Sequence, residues 1–183
     1  MQRWSPEIIR YLYTAADHSR YYQDLARQLG AFLRPEDRVC DAGCGLGLLS
    51  RALLPYCAHV TAVDRSPAAV AALQARGEDP KLSALIGDIR ELPPRQPYDA
   101  MVFCFFGGMD EILSVARSRC RGTVIAVKRD HRDHRFTVTK QPASAAARPW
   151  WCGGISGGTS SAPVSGWRGT LRPTWSGSFS AGA

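Results

Sequence analysis

Three carboxylates and one run of glycines are the residues of this sequence best suited to chemistry. Asp41-Ala42-Gly43-Cys44-Gly45-Leu46-Gly47 sets an acid ahead of three alternating glycines. Glycine lets a backbone turn sharply and lets a ligand approach with no Cβ in the way. A helix starting just after such a loop offers N–H groups and a positive dipole end, which suits an anionic group such as a carboxylate. Downstream, Val60-Thr61-Ala62-Val63-Asp64 is an apolar run tipped with an acid, and Ile86-Gly87-Asp88-Ile89 places another acid after a glycine. An ionised carboxylate accepts through two oxygens, so Asp64 can take two hydroxyl donors at once. The plainer readings are a solvated acid at a strand end for Asp64 and an ordinary turn for Gly87-Asp88.

Spacing narrows the ligand. A dinucleotide fingerprint requires G-x-G-x-x-G. Counted from Gly43, its third glycine falls on Leu48; counted from Gly45, it falls on Ser50. Both registers fail. Two other candidates are weaker. Cys104 lies in an apolar run, where a thiol's pKa should rise, so it is a poor nucleophile. Asp130-His131-Arg132-Asp133-His134 has no third well-spaced ligand and reads as a loop rather than a metal site, with His131 or His134 at most a general base.

The elements that must position these residues alternate regularly. Ser5-Pro6-Glu7 is a helix start: a capping serine, a proline suited to the first turn and an acid at the positive dipole end. Ile8, Ile9, Leu12 and Ala16 follow at helical spacing, and a second helix runs from Tyr21 to Leu29, with Gly30 as its stop. Strands are expected over 38–42, 59–64, 82–86, 98–105 and 123–128, with helices over 48–56, 67–76 and 109–119. The pattern also admits a sixth strand over 134–140. Short apolar strands separated by helices indicate an α/β, doubly wound, mostly parallel sheet with helices on both faces. In such sheets ligands sit at the carboxyl ends of the strands, which is where the acids and glycines fall.

The D-x-G-x-G-x-G pattern in this setting resembles the first motif of the class I S-adenosylmethionine-dependent methyltransferases, a Rossmann-like family. The resemblance covers roughly residues 34–128. It implies S-adenosylmethionine as cofactor, with Asp41 and the backbone of Gly43, Cys44, Gly45 and Gly47 at its methionine end. It implies Asp64, with neighbouring Arg65, at the ribose hydroxyls. Asp88 would then accept from the adenine amino group, with the Ile89 N–H on a ring nitrogen. In relatives a helical segment before the first motif often caps the cofactor, which makes Tyr21 and Tyr22 lid candidates; helix packing is the plainer role for at least one. The fourth strand should end beside the methyl group. There the chain has Cys104-Phe105-Phe106-Gly107, not the Asn- or Asp-Pro-Pro-Tyr/Phe-like motif of subfamilies that methylate amino groups of bases or glutamine. Phe105 and Phe106 are expected in the core or walling the acceptor pocket.

Size and charge bound the rest. A chain of 183 residues suits one domain and can hide about two-thirds of its unfolded surface. No apolar stretch approaches the roughly 18 residues of a membrane span, and residues 1–10 lack the apolar core of a signal peptide. The six cysteines show no metal-ligand spacing. The expectation is a soluble cytoplasmic protein without membrane partners. The net charge of +7 is uneven: residues up to Asp133 hold all 16 acids, and Arg135, Lys140, Arg148, Arg168 and Arg172 follow with no acid. A nearly neutral body gives little ground for nucleic-acid binding, although it leaves it open. The expected acceptor is a small molecule; RNA, protein, or a cofactor-binding domain without activity are the alternatives. The organisation reads as an N-terminal helical lid over 1–33, a cofactor-binding domain over 34–140, and a low-complexity tail over 141–183. The tail holds Trp150, Trp151, Trp167 and Trp175 without periodicity, and reads either as disordered or as out-of-frame translation.

Overall fold

In a computed structural model the described residues are 4–93, 96–129 and 136–142, the last seven and Arg129 through their backbone alone. The expectations for the tail, and for His131 and His134, lie outside them. Six strands form one sheet in the order β3-β2-β1-β4-β5-β6. They are β1 (Arg38–Ala42), β2 (His59–Asp64), β3 (Leu82–Ile86), β4 (Tyr98–Cys104), β5 (Cys120–Arg129) and β6 (Phe136–Pro142). The first five are parallel, and β6 returns antiparallel along β5. Helices α1 (Pro6–Asp17), α2 (Tyr21–Gly30), α3 (Leu48–Leu53), α4 (Pro67–Ala75) and α5 (Met109–Arg119) complete the fold. The doubly wound, mostly parallel sheet is present.

The core follows from the two-residue period of a strand, which sends neighbours to opposite faces. Val39, Val60, Ala100, Val102, Ile125 and Val127 pack against Leu25 and Leu29 of α2 and Leu49 and Leu53 of α3. Cys40, Ala42, Met101, Phe103, Val124 and Ala126 face the other way, onto Ile112, Val115 and Ala116 of α5. Both faces of the central strands are therefore covered, and this is why β4 reads as a continuous apolar run from Ala100 to Cys104. Helix α1 differs. It buries none of its residues and is tied on by polar contacts at its outer end. Tyr13 donates to the Leu46 carbonyl at 3.3 Å, and Arg76 lies 4.5 Å over the Tyr13 ring while pairing with Asp17 at 3.2 Å.

Several boundaries move for local reasons. The helix expected over 48–56 is α-helical only to Leu53 and closes as a 3-10 turn, Leu54–Tyr56, where Pro55 can donate no hydrogen bond. The fourth strand stops at Cys104, because Phe105 takes a left-handed φ of 55°. The fifth begins three residues early, at Cys120, which pairs with Tyr98 across a register shift. There Gly122 leaves room for the Asp99 carbonyl, only 2.1 Å from where a Cβ would stand. The sixth strand spans Phe136–Pro142, so it runs two residues past the domain end expected at 140.

Candidate functional site

At the carboxyl ends of β1, β2 and β4 a single cavity of about 740 Å³ opens between the glycine loop, β3's following turn and the N-terminal segment. That volume suits one cofactor-sized ligand. Asp41 forms its floor. The side chain is fully buried, and Oδ2 accepts the Ser50 hydroxyl at 2.6 Å. Oδ1 has no partner among the described residues. Burial pushes this carboxyl up to about 6; the Ser50 bond opposes the shift and nearby Asp64 adds to it.

The loop above Asp41 is held by main-chain bonds. Gly43 and Cys44 both donate to the Val63 carbonyl, at 2.8 and 3.0 Å. Gly43, Gly45 and Gly47 have φ of 76°, 53° and 67°, a region unfavourable for residues with a Cβ. Gly43 and Gly45 also sit beneath rings, since a Cβ would stand 2.8 Å from Phe106 and 3.3 Å from Trp4. Asp64 accepts from the Gly45 N–H through Oδ2 and from the Ser66 N–H through Oδ1, both at 2.8 Å. Its carboxylate therefore braces the loop, with further lone pairs on each oxygen left to receive donors from the cavity.

The turn after β3 carries a charged cluster. Arg90 grips both oxygens of Asp88 and reaches Glu111 at 3.1 Å, while Arg65 lies 3.6 Å from Asp88. The Arg90 hydrogen bond, chiefly, pulls the Asp88 carboxyl down to about 2. Ile89 is buried behind it. Across the cavity, β4 delivers Cys104, Phe105 and Phe106. A positive φ is a strained state for a bulky residue such as Phe105. It is secured by a bond from the Phe105 N–H to Val127 at 2.9 Å and by Lys128, which donates to the carbonyls of Phe106 and Gly107. Burial raises the Cys104 thiol to about 12, which keeps it protonated and unreactive. Tyr22, half-buried on α2, completes this end; burial raises its phenol, with Cys104 and Asp41 adding to the effect.

Of the ten residues expected at the site, Tyr22, Asp41, Gly43, Cys44, Gly45, Asp64, Arg65, Asp88 and Ile89 line this cavity. Gly47 does not. It caps α3 with its left-handed backbone and packs on α4, where a Cβ would come within 2.4 Å of Leu73. Asp88 lines the cavity but is already clamped by Arg90. Tyr21 turns aside and meets Tyr22 edge-on at 5.0 Å. Sequence reasoning did not find Trp4, Leu12, Arg90 or Glu111, which also line it. These come from α1, its approach, the turn after β3 and the start of α5; Leu12 carries a helical period, which marks it for packing rather than for a site, and no pattern marks the other three.

The methyltransferase-domain family model matches residues 39–121, which hold the glycine loop, β1 to β4 and α5. Over that segment, a little under half of its length, the chain is similar to the class I methyltransferase family. The family's cofactor is S-adenosylmethionine. A 64-residue stretch of the chain is 50% identical to ribosomal RNA small subunit methyltransferase A of Syntrophotalea carbinolica, covering 34% of the chain and 23% of that enzyme. Among solved structures the fold is shared with the YcgJ protein of Bacillus subtilis, at 20% identity, TM-score 0.51, and 61% and 51% of the two chains. It is shared also with an Anabaena variabilis protein assigned as a methyltransferase of an antibiotic biosynthesis pathway, at 19% identity, TM-score 0.52, and 60% and 47% coverage. The chain thus spans about half the length of these structures and a smaller share of the ribosomal RNA enzyme.

Proposed function

We propose that the chain binds S-adenosylmethionine in this cavity and transfers its methyl group to a small molecule. The observation that carries the reading is Asp41: a fully buried carboxylate with one oxygen unsatisfied, at the floor of the cavity. A buried polar atom without a partner is costly unless a ligand supplies one. The cofactor's α-ammonium is a donor of the right charge, and the glycine loop gives its carboxylate close approach to main-chain N–H groups. Asp64, with lone pairs left on each oxygen, would receive the ribose hydroxyls beside Arg65. The Ile89 main chain and the Asp88–Arg90 pair would border the adenine.

When bound, the cofactor supplies an activated methyl group on a positive sulfur. The protein's part is to place the acceptor on the methyl axis at about 3 Å and to keep water out. Phe105, Phe106, Tyr22 and Trp4 give that end of the cavity an aromatic wall, which favours a compact, largely apolar acceptor. The 50% identity to a ribosomal RNA enzyme supports RNA as a second reading. Against it stand the near-neutral charge of the folded part and Cys104-Phe105-Phe106-Gly107 at the end of β4.

Calorimetric titration of the full chain with S-adenosylmethionine tests the reading, with Asp64→Ala as control. Wild type should bind one equivalent. Asp64→Ala should lose binding and melt a few degrees lower, since the Gly45 and Ser66 N–H groups lose their acceptor. Folded wild-type protein that takes up no cofactor would overturn the proposal.

A further inference from the structure

Ser50 is a fully buried serine on the first turn of α3, outside the ligand-lining set, and its hydroxyl proton is committed to Asp41 Oδ2 at 2.6 Å. A carboxylate's terminal torsion is soft and roughly two-fold. Without an anchor, either oxygen could turn into the sheet or toward the cavity. The anchor is on the α3 side, and it leaves Oδ1 as the oxygen without a protein partner among the described residues. Groups coupled to Asp41 come from every neighbouring element: Asp64 at the end of β2, Cys40 on its own strand, Cys44 in the loop, Cys104 on β4 and Tyr22 on α2. None of these is a cation. The free oxygen therefore belongs to a cavity-lining carboxylate that attracts positive charge and has no cation among these groups.

We propose that Ser50 is a positioning residue that fixes one oxygen of Asp41 so that the other receives the ammonium group of the cofactor. The inference rests on the cofactor reading above and adds to it a residue acting through Asp41 alone. It has two consequences. Capture of the ammonium requires ionised Asp41, so affinity for an ammonium-bearing ligand rises with pH through about 6. Loss of the Ser50 hydroxyl removes the bond that favours the ionised form, so that rise must move to higher pH. A ligand with the same adenosine part and no ammonium should feel neither effect.

The test uses the full chain, S-adenosylhomocysteine as the ammonium-bearing probe and 5′-methylthioadenosine as the probe without it, titrated calorimetrically from pH 5 to 8. Ser50→Ala should weaken S-adenosylhomocysteine about threefold near pH 6.5 and about tenfold at pH 5, the equivalent of moving its midpoint by about one pH unit. The methylthioadenosine affinity should be unchanged, and Ser50→Thr should restore the wild-type profile. A double-mutant cycle guards against a local packing defect: in an Asp41→Asn background, Ser50→Ala should have no further effect on S-adenosylhomocysteine. Equal weakening of both probes, an unmoved pH profile, or additive effects in the cycle would overturn the proposal. Melting of the ligand-free protein separates its failure from that of the cofactor reading. A shifted pH dependence of melting in Ser50→Ala, with neither probe bound by wild type, would keep the hold on Asp41 and sink the ammonium role together with the cofactor.

Discussion

Asp41 is destabilising by itself. Its carboxyl sits at about 6 in the folded chain against 3.8 when unfolded. The folded state thus binds the proton more tightly, and stability falls as pH rises from about 4 through 6, after which the penalty is constant. A difference of that size between folded and unfolded chain corresponds to roughly 3 kcal/mol. Asp41→Asn should therefore raise the melting temperature of the ligand-free protein at pH 7 to 8 and leave it nearly unchanged at pH 4, while cofactor binding collapses at neutral pH. A melt series across pH with and without S-adenosylmethionine reads both. At this scale the sequence was informative where chemistry leaves unusual residues and silent where it uses ordinary ones. The acid and the glycines stand out in any reading. Ser50 does not, because one serine in a short helix has no pattern, and only burial beside Asp41 reveals its bond. Asp64 was legible as a site residue but not as a brace for the loop, since that depends on where Gly45 and Ser66 point their N–H groups.

The elements were easier to read than their joints. β1, β2, β3 and α5 begin and end at the residues that their apolar patterns indicate, because strand and helix periods are written into side-chain polarity. The errors cluster where the backbone departs from its period: the 3-10 turn at Pro55, the left-handed Phe105 and the shifted pairing near Gly122. Gly47 shows the same limit. Its place in the motif suggested ligand contact, yet a Cβ there would run into Leu73 of α4, and its φ of 67° starts α3. Gly47→Ala should cost about 2–4 kcal/mol in urea unfolding, from strain at positive φ together with overpacking against α4. An unfolding midpoint equal to that of wild type would show that α3 and α4 can part without penalty.

For the whole molecule, the described residues that line the cavity fall between Trp4 and Glu111, and the sheet runs on to Pro142. A chain ending at Pro142 should bind S-adenosylmethionine with the affinity of the full chain within about twofold, measured by the same calorimetry. A large loss would assign residues beyond Pro142 a part in the cofactor site. Among the described residues no helix is long and apolar enough to cross a membrane. Layering was legible throughout, because short, largely apolar strands alternate with helices. How α1 lies over the cavity was not, because its apolar residues Ile8, Ile9, Leu12 and Ala16 do not specify which surface they meet, and none of them becomes fully buried.

That same helix gives the molecule two separate stabilities. The sheet opens only by exposing its core, so its amide hydrogens should exchange at the cost of global unfolding. Helix α1, which buries none of its residues, gives up the Tyr13 bond, the Arg76 contacts and partial cover of residues such as Trp4 and Leu12 when it lifts. Its amides should exchange by a separate opening of much lower free energy, one that leaves the β-sheet signals untouched. Ligand trapped beneath it should slow exchange in α1 and leave the slowest sheet amides to report global stability alone. Exchange measured residue by residue would then record the opening of the cavity as an event distinct from the unfolding of the protein.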